Sequence, residues 1–439
     1  MTFSPALLEQ KLAQYHDAGC FWVAYSGGCD SHALLHALAT IRAKIHNEIK
    51  AIHINHGLSP FAKEWELHCQ DICSALSIPY QAVSVNVSVD KTSPEEAARH
   101  ARYAAWAKMI KQNDVLLLAH HQDDQAETVL LQLLRGSGVK GLAAMPEQQT
   151  FHKGKLCRPL LDFSREELQS YALEVGLNWI DDPSNFDTDY DRNFLRHEVI
   201  PLLQTRWPAL KKTLSRTAAH QAEADKLLTI LAEQDWLQLH DNNQVNITAL
   251  LTLDEKRQRN VLRYWLSSIC RLTLPDTVHL QRIMNEVLTA AEDAAPEVVW
   301  KGGEVRRYQG LLYAQESPTK PVEYSKQFWL DINQPLMLPE AGFSLSAQSV
   351  LGEGLSKNKL ENAEISIRFR QGGESCRPVG RGQTHQLKKL FQEWKIPPWL
   401  RSSVPLVYIG EELAQVVGYC LCETYAAAEN EEGLVITLD

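Results

Sequence analysis

Long apolar runs are missing from this chain of 439 residues. The longest, such as Val115 to Ala119, fall far short of a bilayer, so no membrane span and no membrane partner are expected. A disulfide framework is missing too. The nine cysteines are odd in number and scattered, which suits reduced thiols and a cytoplasmic location. The opening residues Met-Thr-Phe-Ser-Pro have neither a basic nor an apolar leader region, and no signal peptide is expected. Internal repeats and low-complexity tracts are absent. So is an excess of positive charge: the net charge of −10 excludes a protein basic all over, but not a local basic patch. What remains is 44% hydrophobic and 22% charged, the balance of a soluble globular chain. Its length suggests about two to four domains.

The chain is organised around Ala24-Tyr25-Ser26-Gly27-Gly28-Cys29-Asp30-Ser31. Phe21 to Tyr25 reads as a buried strand, and Ala33, Leu34, Ala37, Leu38 and Ile41 form one helical stripe. Ser26 to Ser31 is therefore a strand-to-helix turn. Its glycines permit a sharp turn and close approach of a ligand. The unpaired N–H groups and dipole of the helix start favour phosphate. A Walker A motif is excluded, because the loop has no lysine and reads Ser-Gly-Gly-x-Asp-Ser.

Further apolar strands are expected at 50–55, 80–85 and 114–119, with helices at 4–16, 62–76 and from a Ser93-Pro94-Glu95-Glu96 capping box to about 111. This alternation predicts βαβ units and an α/β fold with a parallel sheet covered on both faces. Ligands bind past the carboxyl ends of such strands, so the Ser26 loop, His53 to His56 and His120 to Glu127 are expected to converge. A second capping box starts at Ser164, and a short strand is expected at Asn178 to Asp182. Residues 210–290 read as helical, with stripes of Val261, Leu262, Trp265, Leu266 and Ile269 and of Val278, Ile283 and Val287. The period changes to strands at 298–314. Residues 318–362 are less regular and read as a connection. The last segment mixes strands near 364–370, 404–409 and 413–419 with a helix over 385–394.

Half a positive charge at a helix terminus cannot neutralise a triphosphate. A phosphate site here needs Mg2+ and cationic side chains, and Mg2+ takes one or two carboxylates. Asp30 is placed for this, with Asp123 or Asp124 as helpers, although each of the three could instead cap a helix. His120 and His121 lack the spacing of a zinc site. Glu96, Arg99 and Arg102 lie on one helix face, as a solvated ion-paired face would. Arg192, Asn193 and Arg196 place two guanidiniums at i, i+4 around an amide, a fork for phosphate or carboxylate. From Ile365 to Arg401, eight Lys/Arg oppose two Glu, a local charge of +6. Leu387, Leu390, Phe391 and Trp394 supply a buried stripe there. Glycine N–H groups and outward Arg370, Arg377, Arg381, Lys388 and Lys389 suit a phosphodiester backbone.

The Ser26–Ser31 loop resembles the pyrophosphate loop of the N-type ATP pyrophosphatases. Together with His120 to Thr128, Asp191-Arg192-Asn193-Phe194-Leu195-Arg196, Phe369-Arg370-Gln371-Gly372-Gly373 and Leu387-Lys388-Lys389-Leu390-Phe391, the chain resembles the tRNA(Ile)-lysidine synthetase family, in its longer form. The resemblance implies a PP-loop ATPase domain (adenine nucleotide α hydrolase-like) over 1–210, a small helical domain over 211–315, a linker with β structure over 316–362, and a basic α+β tRNA-binding domain over 363–439. It implies ATP and Mg2+, free L-lysine, and tRNA(Ile) with a CAU anticodon, whose wobble cytidine is adenylated and then receives lysine at C2. Ser26, Gly27, Gly28, Cys29, Asp30, Ser31 and His53 would bind nucleotide, with Asp30 also on the metal. Asp30, Asp123, His120, His121 and Arg192 would be catalytic, with His120, His121 and Asp123 forming the lysine pocket. Glu127, Arg99, Arg192, Asn193, Arg196, Arg370, Arg377, Arg381, Lys388 and Lys389 would meet tRNA or lysine. A homodimer is a further expectation. Two alternatives stay open: a tRNA thiolase of the same superfamily, for which Cys69 and Cys73 (C-x-x-x-C) and Cys420 and Cys422 (C-x-C) are the candidate thiols, and an ATP-responsive tRNA-binding protein without catalysis.

Overall fold

Phe21, Trp22 and Val23 follow one another with no polar residue between them, and such a strand belongs inside a sheet covered on both faces. In the computed structural model, β1 (Cys20–Ala24) lies there. The structure describes residues 2–57, 59–86, 94–291, 294–317, 324–361 and 363–438. The capping box at Ser93–Glu96 lies outside the described side chains. The chain divides into two compact units, Met1–Ile230 and Leu231–Asp439.

In the first unit α1 (Pro5–Leu12) is capped by Ser4, as its sequence requires. β1 is followed by α2 (Cys29–Ile41), β2 (Glu48–Asn55), α3 (Ala62–Ala75), β3 (Tyr80–Ser84), α4 (Pro94–Met109), β4 (Val115–Leu117), α5 (Gln122–Leu134) and α6 (Val139–Leu142). A hairpin, β5 (Gln148–Phe151) and β6 (Gly154–Cys157), precedes α7 (Arg165–Glu174). The sheet order is β3-β2-β1-β4-β6-β5, parallel except for β5 at the edge. Phe21 pairs with Val115 and Val23 with Leu117. One face packs Leu8, Leu34, Leu38, Cys69, Leu168 and Tyr171 into a core; the other packs Trp22, Trp106, Ile110 and Leu116. Strand order reverses between β1 and β4, which opens a crevice past their carboxyl ends.

The strand expected at Asn178–Asp182 is not formed. Ile180 N–H donates to the Gly27 carbonyl at 2.9 Å, so the segment crosses the loop after β1 and joins no ladder. Next, α8 (Asp191–Phe194), a π turn over Leu195–Val199 and α9 (Ile200–Arg206) run on as one helical stretch. α10 (Leu210–Leu239) crosses from the first unit into the second.

The second unit opens with β7 (His240–Asp241), β8 (Gln244–Asn246), α11 (Ile247–Leu250), α12 (Glu255–Tyr264) and α13 (Thr277–Arg282). These pack on β9 (Glu297–Trp300), β10 (Gly303–Tyr308) and β11 (Leu311–Gln315), where strands were expected. Val261, Leu262, Trp265, Leu266, Ile283 and Val287 are buried, but Val278 is exposed and leaves its expected stripe. Residues 324–361 carry β12 (Gln327–Phe328), β13 (Leu336–Leu338), β14 (Phe343–Leu351), β15 (Leu355–Ser356) and α14 (Lys357–Leu360). After them come β16 (Ile365–Arg368), β17 (Ser375–Cys376), β18 (His385–Gln386), α15 (Leu387–Glu393), β19 (Leu406–Ile409), β20 (Glu412–Val416), β21 (Cys420–Leu421) and β22 (Glu432–Leu438). β14 pairs with β22 along its length, so the stretch read as irregular builds a sheet with the end of the chain.

Candidate active site

The turn after β1 is closed by its own hydroxyls. Ser31 Oγ–H donates to the Gly28 carbonyl (3.0 Å), while Ser26 N–H donates to Ser31 Oγ (3.3 Å) and Ser26 Oγ lies 3.0 Å from it. Gly27 has φ +87°, a conformation that side chains resist. Gly28, not Asp30, occupies the N-cap of α2, and no side chain caps it there. The first N–H donors of α2 are thereby left for a ligand. The Cys29 thiol is buried, and burial pushes its pKa up to about 12, so this residue offers its backbone.

Asp30 lies in the first turn of α2 and His121 caps α5, so the two helix starts meet across the β1/β4 crevice. Asp30 Oδ2 is 3.4 Å from His121 Nε2. Asp30 Oδ1 is buried and has no hydrogen-bond partner among the described residues. A hard anionic oxygen left bare in this way fits Mg2+. His121 Nδ1 accepts the Asp124 N–H (3.3 Å), and Asp124 Oδ2 accepts the His121 N–H (3.1 Å), a reciprocal cap. Burial opposes charge on His121. Asp124, Asp30 and Asp123 favour it, but Nδ1 accepts the Asp124 N–H, so the ring proton sits on Nε2, facing Asp30. Burial likewise opposes charge on Asp124, but the ring of His121 and the guanidiniums of Arg192 and Arg196 hold its carboxyl well below the usual range.

The two arginines of the expected fork are engaged inside the protein. Arg192 Nε and Arg196 Nε each donate to Glu127 at 2.7 Å, Arg196 Nη2 adds a 2.9 Å bond, and both reach Asp124 Oδ1. Glu127 is 1% exposed. Asn193 donates to the Ser184 and Asp187 carbonyls and pins that turn. Asp123 is buried. Its Oδ1 accepts the Arg165 N–H at 3.1 Å, and its Oδ2 pairs with the Lys211 ammonium at the start of α10. His53 is buried under the loop, with Nδ1 3.0 Å from the Tyr25 carbonyl; burial lowers its pKa. His120 Nδ1 accepts from Arg158 Nε at 3.2 Å. Arg99 stacks on Tyr103 and donates to its hydroxyl at 3.3 Å.

The first unit thus brings together the Ser26–Ser31 loop, His53, His120, His121, Asp123, Asp124, Glu127, Arg192 and Arg196. Arg158, Ile180 and Lys211 join them without having been singled out from the sequence. Their one local signal is position: Arg158 immediately follows β6, and Lys211 opens a long helix.

The basic segment lies in the second unit. α15 buries Leu387, Leu390 and Phe391 as expected and leaves Lys388 and Lys389 exposed. Several counted charges are already spent. Arg368 pairs with Glu411, Arg377 with Glu423 and Arg381 with Glu393, each within 2.7 Å. Arg401 is buried and donates to the Ile396 carbonyl and the Tyr308 hydroxyl. Arg370 is half-buried, and its Nε has no partner among the described residues.

A family model of a PP-loop domain matches residues 5–203, one of a TilS substrate binding domain matches 246–313, and one of a TilS substrate C-terminal domain matches 365–438. The chain is similar to the tRNA(Ile)-lysidine synthase of Coxiella burnetii, at 45% identity over 98% of this chain and 96% of that protein. It is 44% identical to that of Legionella pneumophila strain Lens over 96% of each chain. Against that of Pseudomonas syringae pv. tomato it is 42% identical, covering 94% of this chain and 91% of the relative.

Proposed function

Since the chain belongs to the tRNA(Ile)-lysidine synthase family, an enzyme family of ATP-dependent tRNA modification, we propose that it joins free L-lysine to C2 of the wobble cytidine in the CAU anticodon of tRNA(Ile). In the first step the cytosine C2 oxygen attacks the α-phosphorus of ATP, and pyrophosphate leaves. In the second the lysine ε-amine displaces AMP. The observation that carries this reading is the bare start of α2: an uncapped helix N-terminus beside a buried carboxylate oxygen without a partner among the described residues.

Ser26, Gly27, Gly28, Cys29 and Ser31 would cradle the departing pyrophosphate through backbone N–H groups and hydroxyls. Asp30 would hold Mg2+, which when bound supplies positive charge to the phosphates. His53 would keep the end of β1 in place through Tyr25. Asp123 would receive the lysine amine; it already accepts one ammonium, that of Lys211. Arg192, Arg196 and Glu127 would hold the helix after residue 190 against α5, with Asn193 fixing the preceding turn. An anticodon base must leave its stack to react, which a loop permits. Lys388, Lys389 and Arg370, with Arg377 and Arg381 at the rim, would contact the tRNA backbone a second time, adding affinity. We place the chain in the cytoplasm, the compartment in which nine scattered cysteines would stay reduced, and light scattering of the purified chain tests the homodimer.

Sulfur transfer would need an accessible thiolate. Cys69 and Cys73 are 0% exposed, and burial pushes both thiols up to about 12, which argues against a thiolase reading built on that pair; Cys420 and Cys422 stand beside Cys376 in the second unit, and Cys420→Ser with Cys422→Ser tests them. The deciding assay mixes protein, unmodified tRNA(Ile), radiolabelled lysine and ATP. Lysine incorporation matched by pyrophosphate supports the synthase; no incorporation excludes it. Asp30→Asn should abolish turnover and spare tRNA retention, whereas loss of both would make Asp30 structural.

A further inference from the structure

Arg158 is 2% exposed, yet among the described residues it has no carboxylate partner. A buried charge without a counter-ion is costly, so the use of its donors is informative. Nη1 donates to the Pro146 carbonyl at 2.7 Å. Nε donates to His120 Nδ1 at 3.2 Å. A guanidinium has only donors and does not lose its proton. His120 Nδ1 must therefore accept, and it cannot carry a hydrogen. The single proton of the neutral ring sits on Nε2. A second proton would set N–H against N–H.

The groups around the ring agree. Burial disfavours the imidazolium; Asp124 favours it; Arg158, Arg192 and Arg99 oppose it, and the pKa falls to about 3. His53 shows the opposite outcome from the same chemistry. Its Nδ1 lies against the Tyr25 carbonyl, which can only accept, so that nitrogen holds the proton.

Topology fixes the contact. β6 pairs in parallel with β4, Leu117 beside Cys157. Arg158, the next residue, is carried alongside the tip of β4, just before His120. The ring is half-buried, and its Nε2–H has no acceptor among the described residues. His121, the adjacent residue, touches Asp30 in the crevice.

We propose that Arg158 is a positioning residue that locks His120 as a neutral Nε2–H donor to an oxygen of the bound substrate, either a nucleotide phosphate or the C2 oxygen of the cytosine. This rests on the reading in the preceding subsection. It also removes His120 from the groups able to take the amine's proton, because one nitrogen is protonated and the other is occupied.

Long-range 1H–15N spectra of the full-length, 15N-histidine-labelled protein test the lock without turnover, with His120 assigned by its loss in His120→Gln. The expected ring pattern has a bare Nδ1 and a protonated Nε2, unchanged between about pH 6 and pH 8. Arg158→Met should mix the tautomers and lower kcat about tenfold or more, with a smaller change in KM for ATP. Arg158→Lys, which keeps a donor, should restore part of both. His120→Gln keeps an N–H and should stay more active than His120→Ala, a comparison that holds even if Arg158→Met fails to fold. A shift of the Nε2–H signal on adding ATP and Mg2+ places the acceptor on the nucleotide; a shift that also requires tRNA places it on the base. An imidazolium or Nδ1–H ring in the wild type, or no shift with either ligand, overturns the proposal. The expected ring pattern without lysine incorporation would sink the synthase reading and leave the tautomer assignment intact.

Discussion

Alanine at Gly27 loads the site where it is tightest. Gly27 has φ +87°, and a Cβ there would stand 2.7 Å from Ile180 Cδ1 and 3.0 Å from Cys69 Sγ. The left-handed backbone costs about 1–2 kcal/mol for a residue with a side chain. Overpacking adds about 1–3 kcal/mol. Ile180 is half-buried and can yield; Cys69 is fully buried in α3 and cannot move far. The total is about 3 kcal/mol, which appears either as lost stability of the first unit or as a displaced loop. Urea unfolding followed by tryptophan fluorescence reads the first, and pyrophosphate release with tRNA and lysine reads the second. Ile180→Ala removes the shorter contact but neither the backbone strain nor Cys69. Gly27→Ala/Ile180→Ala should therefore recover about 1 kcal/mol relative to the sum of the single changes, the mark of two residues in contact. Wild-type stability with wild-type pyrophosphate release in Gly27→Ala would refute the reasoning. Strict additivity in the double variant would refute the packing of Ile180 on the loop.

Three further outcomes follow from the same geometry. Glu127→Gln removes the carboxylate that Arg192 and Arg196 share and leaves their bonds to Asp124. Breaking a buried pair costs about 3–5 kcal/mol, but Arg192 and Arg196 are 25% and 21% exposed, so about 2–4 kcal/mol is expected in urea unfolding, and a loss below about 1 would show the cluster to be screened. His32 is buried, and burial lowers its pKa to about 4, below the unfolded value, so its contribution is complete above about pH 6.5 and is lost as pH falls towards 4. Between pH 7 and pH 5 this amounts to about 2 kcal/mol, and His32→Asn should flatten that limb of the stability–pH curve; an unchanged limb would show that other groups set it. Lys388→Glu with Lys389→Glu should weaken tRNA binding and reduce the slope of log affinity on log salt by about 2 while ATP binding holds, whereas Arg381, already paired with Glu393, should matter less when replaced.

The parts of the fold that the sequence displayed are those governed by neighbours along the chain. The five-residue apolar strand, the glycine turn and the amphipathic helix after it all lie within about one βα unit, and β1, the loop and α2 formed where their pattern put them. β6 did not declare itself, because Gly154-Lys155-Leu156-Cys157 has only two apolar residues; it is a strand because β4 has a free edge to pair with. Asn178–Asp182 failed for the converse reason. It crosses the Gly27 loop, where Ile180 N–H is taken by the Gly27 carbonyl, and joins no strand among the described residues.

Charge shows the same limit more sharply. An i, i+4 spacing established that Arg192 and Arg196 point the same way, but not at what; the answer, Glu127, lies 65 and 69 residues earlier. The +6 of the basic segment was a sum over the chain, and Glu411 and Glu423, outside the counted window, cancel part of it in space. Asp30 is the instructive exception. Its motif predicted a carboxylate with work to do, and folding supplied a histidine for one oxygen and, among the described residues, no partner for the other. Inside a folded chain, a polar atom that the protein could have satisfied and did not is stronger testimony about a ligand than any count of charges, since leaving it bare costs stability that the bound state alone returns.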